Sequence, residues 1–268
     1  MTKNPLENLI MRILKDLSPK TKLIKTEPRN VDTMVRLLIR YELTYKMLTK
    51  TLVNSPIFKN RLFTSFLNDS YITSVTVTIR RLFNEGKINL NKSWNTLYKE
   101  RKLFNRYNFV TLYKNKYGDL SNKKTVERHK TFDKLSCVKR ITDRNIQNGK
   151  DDKICEDWWS KRKQMIDALL NSNFYKNFAN KTIAHNVKSS GVFEDEINKA
   201  IDTTLSIWSS IGILTLSFPF QPFTGIKQND LHCLENALMP QKYKTKAIQN
   251  WNTRAKELAK TYISSNTQ

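Results

Sequence analysis

Apolar positions recur every three or four residues along most of the chain, so the elements they predict are helices. Between 6 and 17 the spaced residues are Leu6, Ile10, Ile13, Leu14 and Leu17. From 31 to 52 the stripe is Val31, Val35, Leu38, Tyr41, Tyr45, Leu48 and Leu52, the apolar face of a long amphipathic helix. Asn30 and Asp32 suit its cap. Asn54-Ser55-Pro56 stops that helix and starts another element. The stretch 57–83 reads two ways. Phe58, Leu62, Phe66, Ile72, Ile79 and Phe83 fit a helix, whereas Val75, Val77 and Ile79 alternating with Ser74, Thr76 and Thr78 fit a strand. A lone strand among helices lacks a partner for its backbone, which favours the helix.

A further helix opens at 91–93 with Ser93 as its cap, another covers 132–146, and one spans 154–170 around Trp158, Trp159, Met165, Ile166 and Leu169. Phe193, Ile197, Ile201, Leu205, Trp208 and Ile211 mark a long apolar helix, and the tail from Pro240 onward reads as one basic helix. The fold class these elements predict is all-α, a bundle of long antiparallel helices. Residues 1–29 are expected as an N-terminal helix and linker, 30–218 as the bundle, with a basic, aromatic insertion at about 99–130, and 219–268 as a basic extension.

Composition changes this picture mainly through charge. The 268 residues carry 47 Lys and Arg against 24 Asp and Glu, a net charge of +23. Polyanions are natural partners for such a chain, RNA first among them, because neutralising phosphates releases counterions. A charge carried only for solubility is the competing explanation. Six glycines and the absence of GxGxxG and GxxxxGK[ST] patterns argue against dinucleotide and P-loop nucleotide binding. Charges at Glu7, Arg12, Lys15 and Asp16 interrupt the N-terminal apolar run, so secretion is not expected. The most apolar window, 201–218, reads as a buried helix rather than a membrane span. A cytoplasmic location with no membrane partner follows. Cys137, Cys155 and Cys233 form no CxxC pair and are expected as free, core-filling thiols. With His129 and His232 they lack zinc-ligand spacing, so no metal is expected.

Two stretches carry candidate chemistry. In 99–130, Lys99, Arg101, Lys102, Arg106, Lys123, Lys124 and Arg128 interleave with Phe104, Tyr107, Phe109, Tyr113 and Tyr117. Cations beside aromatics suit a nucleic-acid surface, where bases stack and phosphates pair. The same pattern arises when the aromatics face the core and the cations face water. The second stretch, Asn180-Lys181-Thr182-Ile183-Ala184-His185-Asn186, is a polar turn between two apolar helices. His185 can exchange a proton near neutrality, and Lys181 falls on its face if the turn is helical.

The stretch NKTIAH resembles the end of the HEPN ribonuclease motif, in which an Arg followed by a polar residue precedes a His by four to six positions. Residues 71–100, with an Arg-Leu-Phe block at Arg81-Leu82-Phe83, resemble the upstream core of AbiU-like HEPN proteins, and the resemblance covers about residues 30–215. It implies a helical bundle, a homodimer whose motifs meet in one cleft, metal-independent RNA cleavage with no cofactor, and a role in abortive-infection or toxin–antitoxin phage defence beside an antitoxin or other defence partner. Carried over, His185 is the general acid and base and Asn180 orients the phosphate. The position six before His185 holds Ala179, so Lys181, Arg80 or Arg81 must supply the cation, or the module binds RNA without cutting it. The competing structural roles are a capping His185 and an ion pair of Arg80 or Arg81 with Glu42 or Asp202.

Overall fold

The computed structural model describes residues 5–17, 31–84, 89–111, 122–137, 152–176, 194–216 and 241–264. Among them the protein is all-α, with ten α-helices, a 3-10 turn at Arg101–Leu103 and no strand beyond two isolated bridges. The helices are α1 (Pro5–Leu17), α2 (Val31–Leu52), α3 (Pro56–Lys59), α4 (Arg61–Phe83), α5 (Leu90–Lys99), α6 (Arg106–Thr111), α7 (Asn122–Leu135), α8 (Glu156–Asn171), α9 (Glu194–Leu216) and α10 (Gln241–Ser264).

The expected stripes become the core. On α2, Val31, Val35, Leu38, Leu48 and Leu52 are buried as the spacing predicts, and Tyr41 and Tyr45 are half-buried against the same core. Helix α3 begins at Pro56, whose missing N–H costs nothing at a first helical position. The ambiguous stretch is helix α4. Asn60 caps it, its side-chain oxygen accepting from the amides of Leu62 at 2.9 Å and Phe63 at 3.3 Å. The alternating threonines that suggested a strand are accommodated inside the helix: Thr76 and Thr78 donate to the carbonyls of Ile72 at 2.6 Å and Ser74 at 2.7 Å.

Helix α9 touches α2, α4, α5, α8 and α10, so it lies at the centre of the bundle. Ile201, Leu205, Ile207, Trp208, Ile211 and Leu214 are buried, and so are Thr204, Ser209, Ser210 and Thr215. From Thr204 to Thr215 the helix is buried on all sides, so its hydroxyls must be satisfied internally. Thr204, Ser210 and Thr215 do so by donating to the carbonyls of Ala200, Ser206 and Ile211 at 2.7 to 2.8 Å. Among the described residues no helix is long and apolar enough to cross a membrane. Helix α10 lies along α2, seating Ala247, Trp251 and Ala255 in the core.

Three expectations are corrected. The cap of α5 is Asn89, which accepts from the Lys92 amide at 2.7 Å, and Ser93 is buried inside the helix. The helix expected over 132–146 is α7, which starts ten residues earlier at Asn122 and ends at Leu135; residues 138–146 lie outside the described ones. Cys137 and Cys155 are not free thiols: they form a disulfide with Cα atoms 5.2 Å apart, joining the end of α7 to the start of α8. That removes both from any ligand set. Cys233 lies outside the described residues.

Candidate functional site

Asn180, Lys181 and His185, the centre of the expected catalytic motif, lie outside the described residues, as does Ala179. Arg80 and Arg81 occupy the last turn of α4, where cations complement the helix dipole; Arg80 is half-buried and Arg81 exposed. Glu42 is fully buried, and it takes Arg254 as its ion-pair partner.

The seven cations expected to face RNA separate by burial. Lys99 and Lys102 are exposed. Arg101 is half-buried: its Nε donates to both Glu156 carboxylate oxygens at 3.0 Å, and its guanidinium lies 4.6 Å from the Tyr98 ring centroid. Lys123 and Lys124 are on α7, with side chains outside the described residues. Arg106 and Arg128 are corrections, because both are buried, Arg106 to 1% exposure and Arg128 to 9%. Phe104 and Phe109 face the core as well, and Tyr107 is half-buried. For these aromatics the pattern of rings inward and lysines outward holds. Tyr113 and Tyr117 lie outside the described residues.

Arg106 instead organises the lobe of α6 and α7. Its Nε donates to Asp152 at 2.6 Å, its Nη1 pairs with Asp133 at 2.7 Å, and its guanidinium sits 4.9 Å from the Phe132 ring. Ser136 donates to the other Asp152 oxygen, and the Arg106 amide donates to the Asp152 carbonyl at 2.9 Å. Burial works against the Arg106 charge, yet the hydrogen bonds and charges of Asp152 and Asp133 more than offset it and hold its pKa above the ordinary value. Arg162, on α8, is buried differently. It lies 3.9 Å from the Trp158 ring and donates to Ser210 at 2.9 Å, and burial pulls its pKa down to about 10.

Among the described residues, a dense group of titratable side chains lies where α2, α4, α9 and α10 meet. Tyr71 donates to one oxygen of Glu42, and Arg254 donates to the other from Nη2 at 2.8 Å and from Nε at 3.2 Å. Tyr45 stacks on Tyr71, with ring centroids 3.9 Å apart and planes within 4°, and its own hydroxyl donates to Asn68 at 2.9 Å. Lys46 pairs with Glu194. Burial, reinforced by the Glu42 charge, pushes the Tyr71 and Tyr45 hydroxyls above their ordinary pKa. Burial pulls the Lys46 ammonium down. Perturbed groups gathered in one place are the usual physical marker of a site, and equally of a structural ion network. Nothing local announces this one. The only trace in the sequence is an acidic residue, Glu42, set between Leu38 and Tyr45 on an otherwise apolar stripe.

Asp202 belongs to the same cluster. Burial raises its pKa above the ordinary 3.8, against the opposing pull of Arg254 and with the help of Glu42. A carboxyl with a raised folded-state pKa binds its proton more tightly when folded. Its contribution to stability is therefore complete below pH 3.8 and is lost as the pH rises through the folded value. Asp202→Asn is expected to stabilise the protein at pH 7 and to lose that advantage towards pH 3. Urea midpoints at the two pH values measure it, and a variant equally stabilised at both contradicts the assignment.

Comparison with protein-family models, with curated proteins and with solved structures gives no match for this chain.

Proposed function

We propose that this protein acts on RNA, as a metal-independent endoribonuclease of the HEPN type working in the cytoplasm as a homodimer within an abortive-infection or toxin–antitoxin phage-defence system. The observation that carries the reading is the pairing of the NKTIAHN motif, with His185 as a residue type able to exchange a proton near neutrality, and a chain charge of +23. In this scheme the RNA 2′-hydroxyl attacks the adjacent phosphate. His185 removes the hydroxyl proton, and the departing 5′-oxygen takes a proton back, leaving a 2′,3′-cyclic phosphate and a 5′-hydroxyl. Asn180 orients the phosphate. Lys181, Arg80 or Arg81 supplies the cation that holds the charge developing on it, and exposed Lys99 and Lys102 lie among the residues that would grip the strand. An antitoxin or other defence protein is the expected partner.

Cleavage of RNA in EDTA by wild type and by His185→Ala tests the reaction. Loss of about 10²-fold or more in rate is expected from removing the proton-transfer group. Equal rates in the two proteins, or no cleavage by either, overturn it.

Ala179 favours a second reading, a silent HEPN-like module that binds RNA or a protein without cutting. Its RNA affinity then falls steeply with salt, and Ala179→Arg gains nuclease activity. Salt-independent binding contradicts it.

A further inference from the structure

The first half of α4 presents a face that nothing in the described bundle covers. Leu62 is 82% exposed and Phe66 is 70% exposed. They stand one helical turn apart, so they form a single apolar ridge rather than two scattered residues. Arg61, Ser65, Asp69 and Thr73 are exposed alongside them. Among the described residues, Arg61 and Asp69 enter no ion pair.

The order of these residues has a symmetry. Ser65, which is small, lies midway between a cation four residues before it and an anion four residues after it. Consider two copies of α4 running antiparallel about a two-fold axis at Ser65. Arg61 of each copy then lies level with Asp69 of the other, about 6 Å along the helix from the axis. The two Phe66 rings fall within about 3 Å of each other along the helix direction, and each Leu62 closes the outer side of the ring from the opposite chain. Ser65 leaves room for the backbones to approach. A parallel arrangement puts Arg61 against Arg61, which repels. The same argument selects the occupant. An anionic lipid surface or a nucleic acid would bring negative charge onto Asp69, whereas a surface carrying the inverted order of charges satisfies both ends, and the chain itself presents that surface.

We infer that the Leu62–Phe66 ridge of α4 is a self-association surface, pairing with the same ridge of a second copy in an isologous, antiparallel contact. This contact goes beyond the RNA-cleaving reading and is separate from its shared cleft. Arg80 is fifteen residues beyond Ser65, or about 22 Å along the helix, so the Arg80–Arg81 ends of two copies paired in this way point apart.

Sedimentation velocity of the full chain across roughly 5 to 100 µM, in about 150 mM salt to screen the net positive charge, tests this. A doubling step in mass with rising concentration is expected, from monomer to dimer, or from dimer to tetramer if the cleft pairs as well. Phe66→Glu is expected to abolish that step, and Arg61→Asp to weaken it about tenfold or more. Arg61→Asp combined with Asp69→Arg is expected to recover it, because the charges then exchange places. These are surface substitutions, and unchanged thermal melts identify loss of association without loss of fold. Leu62→Lys serves as a second variant. Absence of any doubling step in wild type, persistence of the step in Phe66→Glu, or failure of the charge exchange to recover it overturns the inference. RNA cleavage by Phe66→Glu at wild-type rate leaves the functional reading standing on its own evidence.

Discussion

Arg254→Met is expected to lower the free energy of unfolding by about 3–5 kcal/mol, the range seen when one member of a buried ion pair is removed. The side chain of Glu42 is completely buried, whereas that of Arg254 keeps 22% of its exposure. Removing the arginine leaves the Glu42 carboxylate in the core, with Tyr71 as its hydrogen-bond donor there. Removing the carboxylate instead, as in Glu42→Gln, leaves an arginine that can still reach water and Glu257, 3.2 Å from its Nη1. The first substitution should therefore cost clearly more than the second. Urea unfolding of the two single variants and the double variant measures both costs and the coupling between them. Equal costs, or a coupling near zero, would show that Glu42 and Arg254 do not hold α10 against α2. With total stabilities of about 5–15 kcal/mol in proteins of this kind, the loss of α10 docking should be visible in a thermal melt.

Arg106→Leu has the second large effect, about 3–5 kcal/mol by the same reasoning, because Asp152 keeps only 3% of its side-chain exposure and loses its cation. Its consequences differ in place. Arg106 joins α6, α7 and the start of the 152–176 segment, so the amides of α6 and α7 should lose hydrogen-exchange protection before those of α2 and α9. Substituting Arg106 and Asp152 together by Leu should recover much of the loss, since apolar groups of similar volume replace a buried ion pair at little cost. Uniform loss of protection across all helices, or a double variant no better than the single one, would remove Arg106 from its role as organiser of this lobe.

Legibility from the sequence varied with how each helix is buried. Helix α2 shows one apolar face, and its spacing located it to within a residue or two. The start of α7 was hidden because its inward residues are Arg128, Phe132 and Leu135, and a buried arginine does not read as part of an apolar stripe. The cap of α5 was misplaced by one turn. Asn89 and Ser93 are both competent caps, and the choice falls to Asn89 because Leu90 must enter the core. At 99–130 the interleaved charges and aromatics fitted both a nucleic-acid surface and rings packed inward with cations in water, and the pattern could not show that Arg106 and Arg128 go inward with Phe104 and Phe109. Spacing does not say which individual cations stay outside.

By itself the sequence established that the protein is helical, where most helices run, and that its charge is strongly positive, because periodicity and composition are local quantities. Tertiary structure alone decided which charges leave the solvent. Glu42 meets Arg254 across 212 residues, and Arg106 meets Asp152 across 46. A helical repeat tells which way a side chain points. What it meets there depends on the helix packed opposite, and that helix comes from a distant part of the chain.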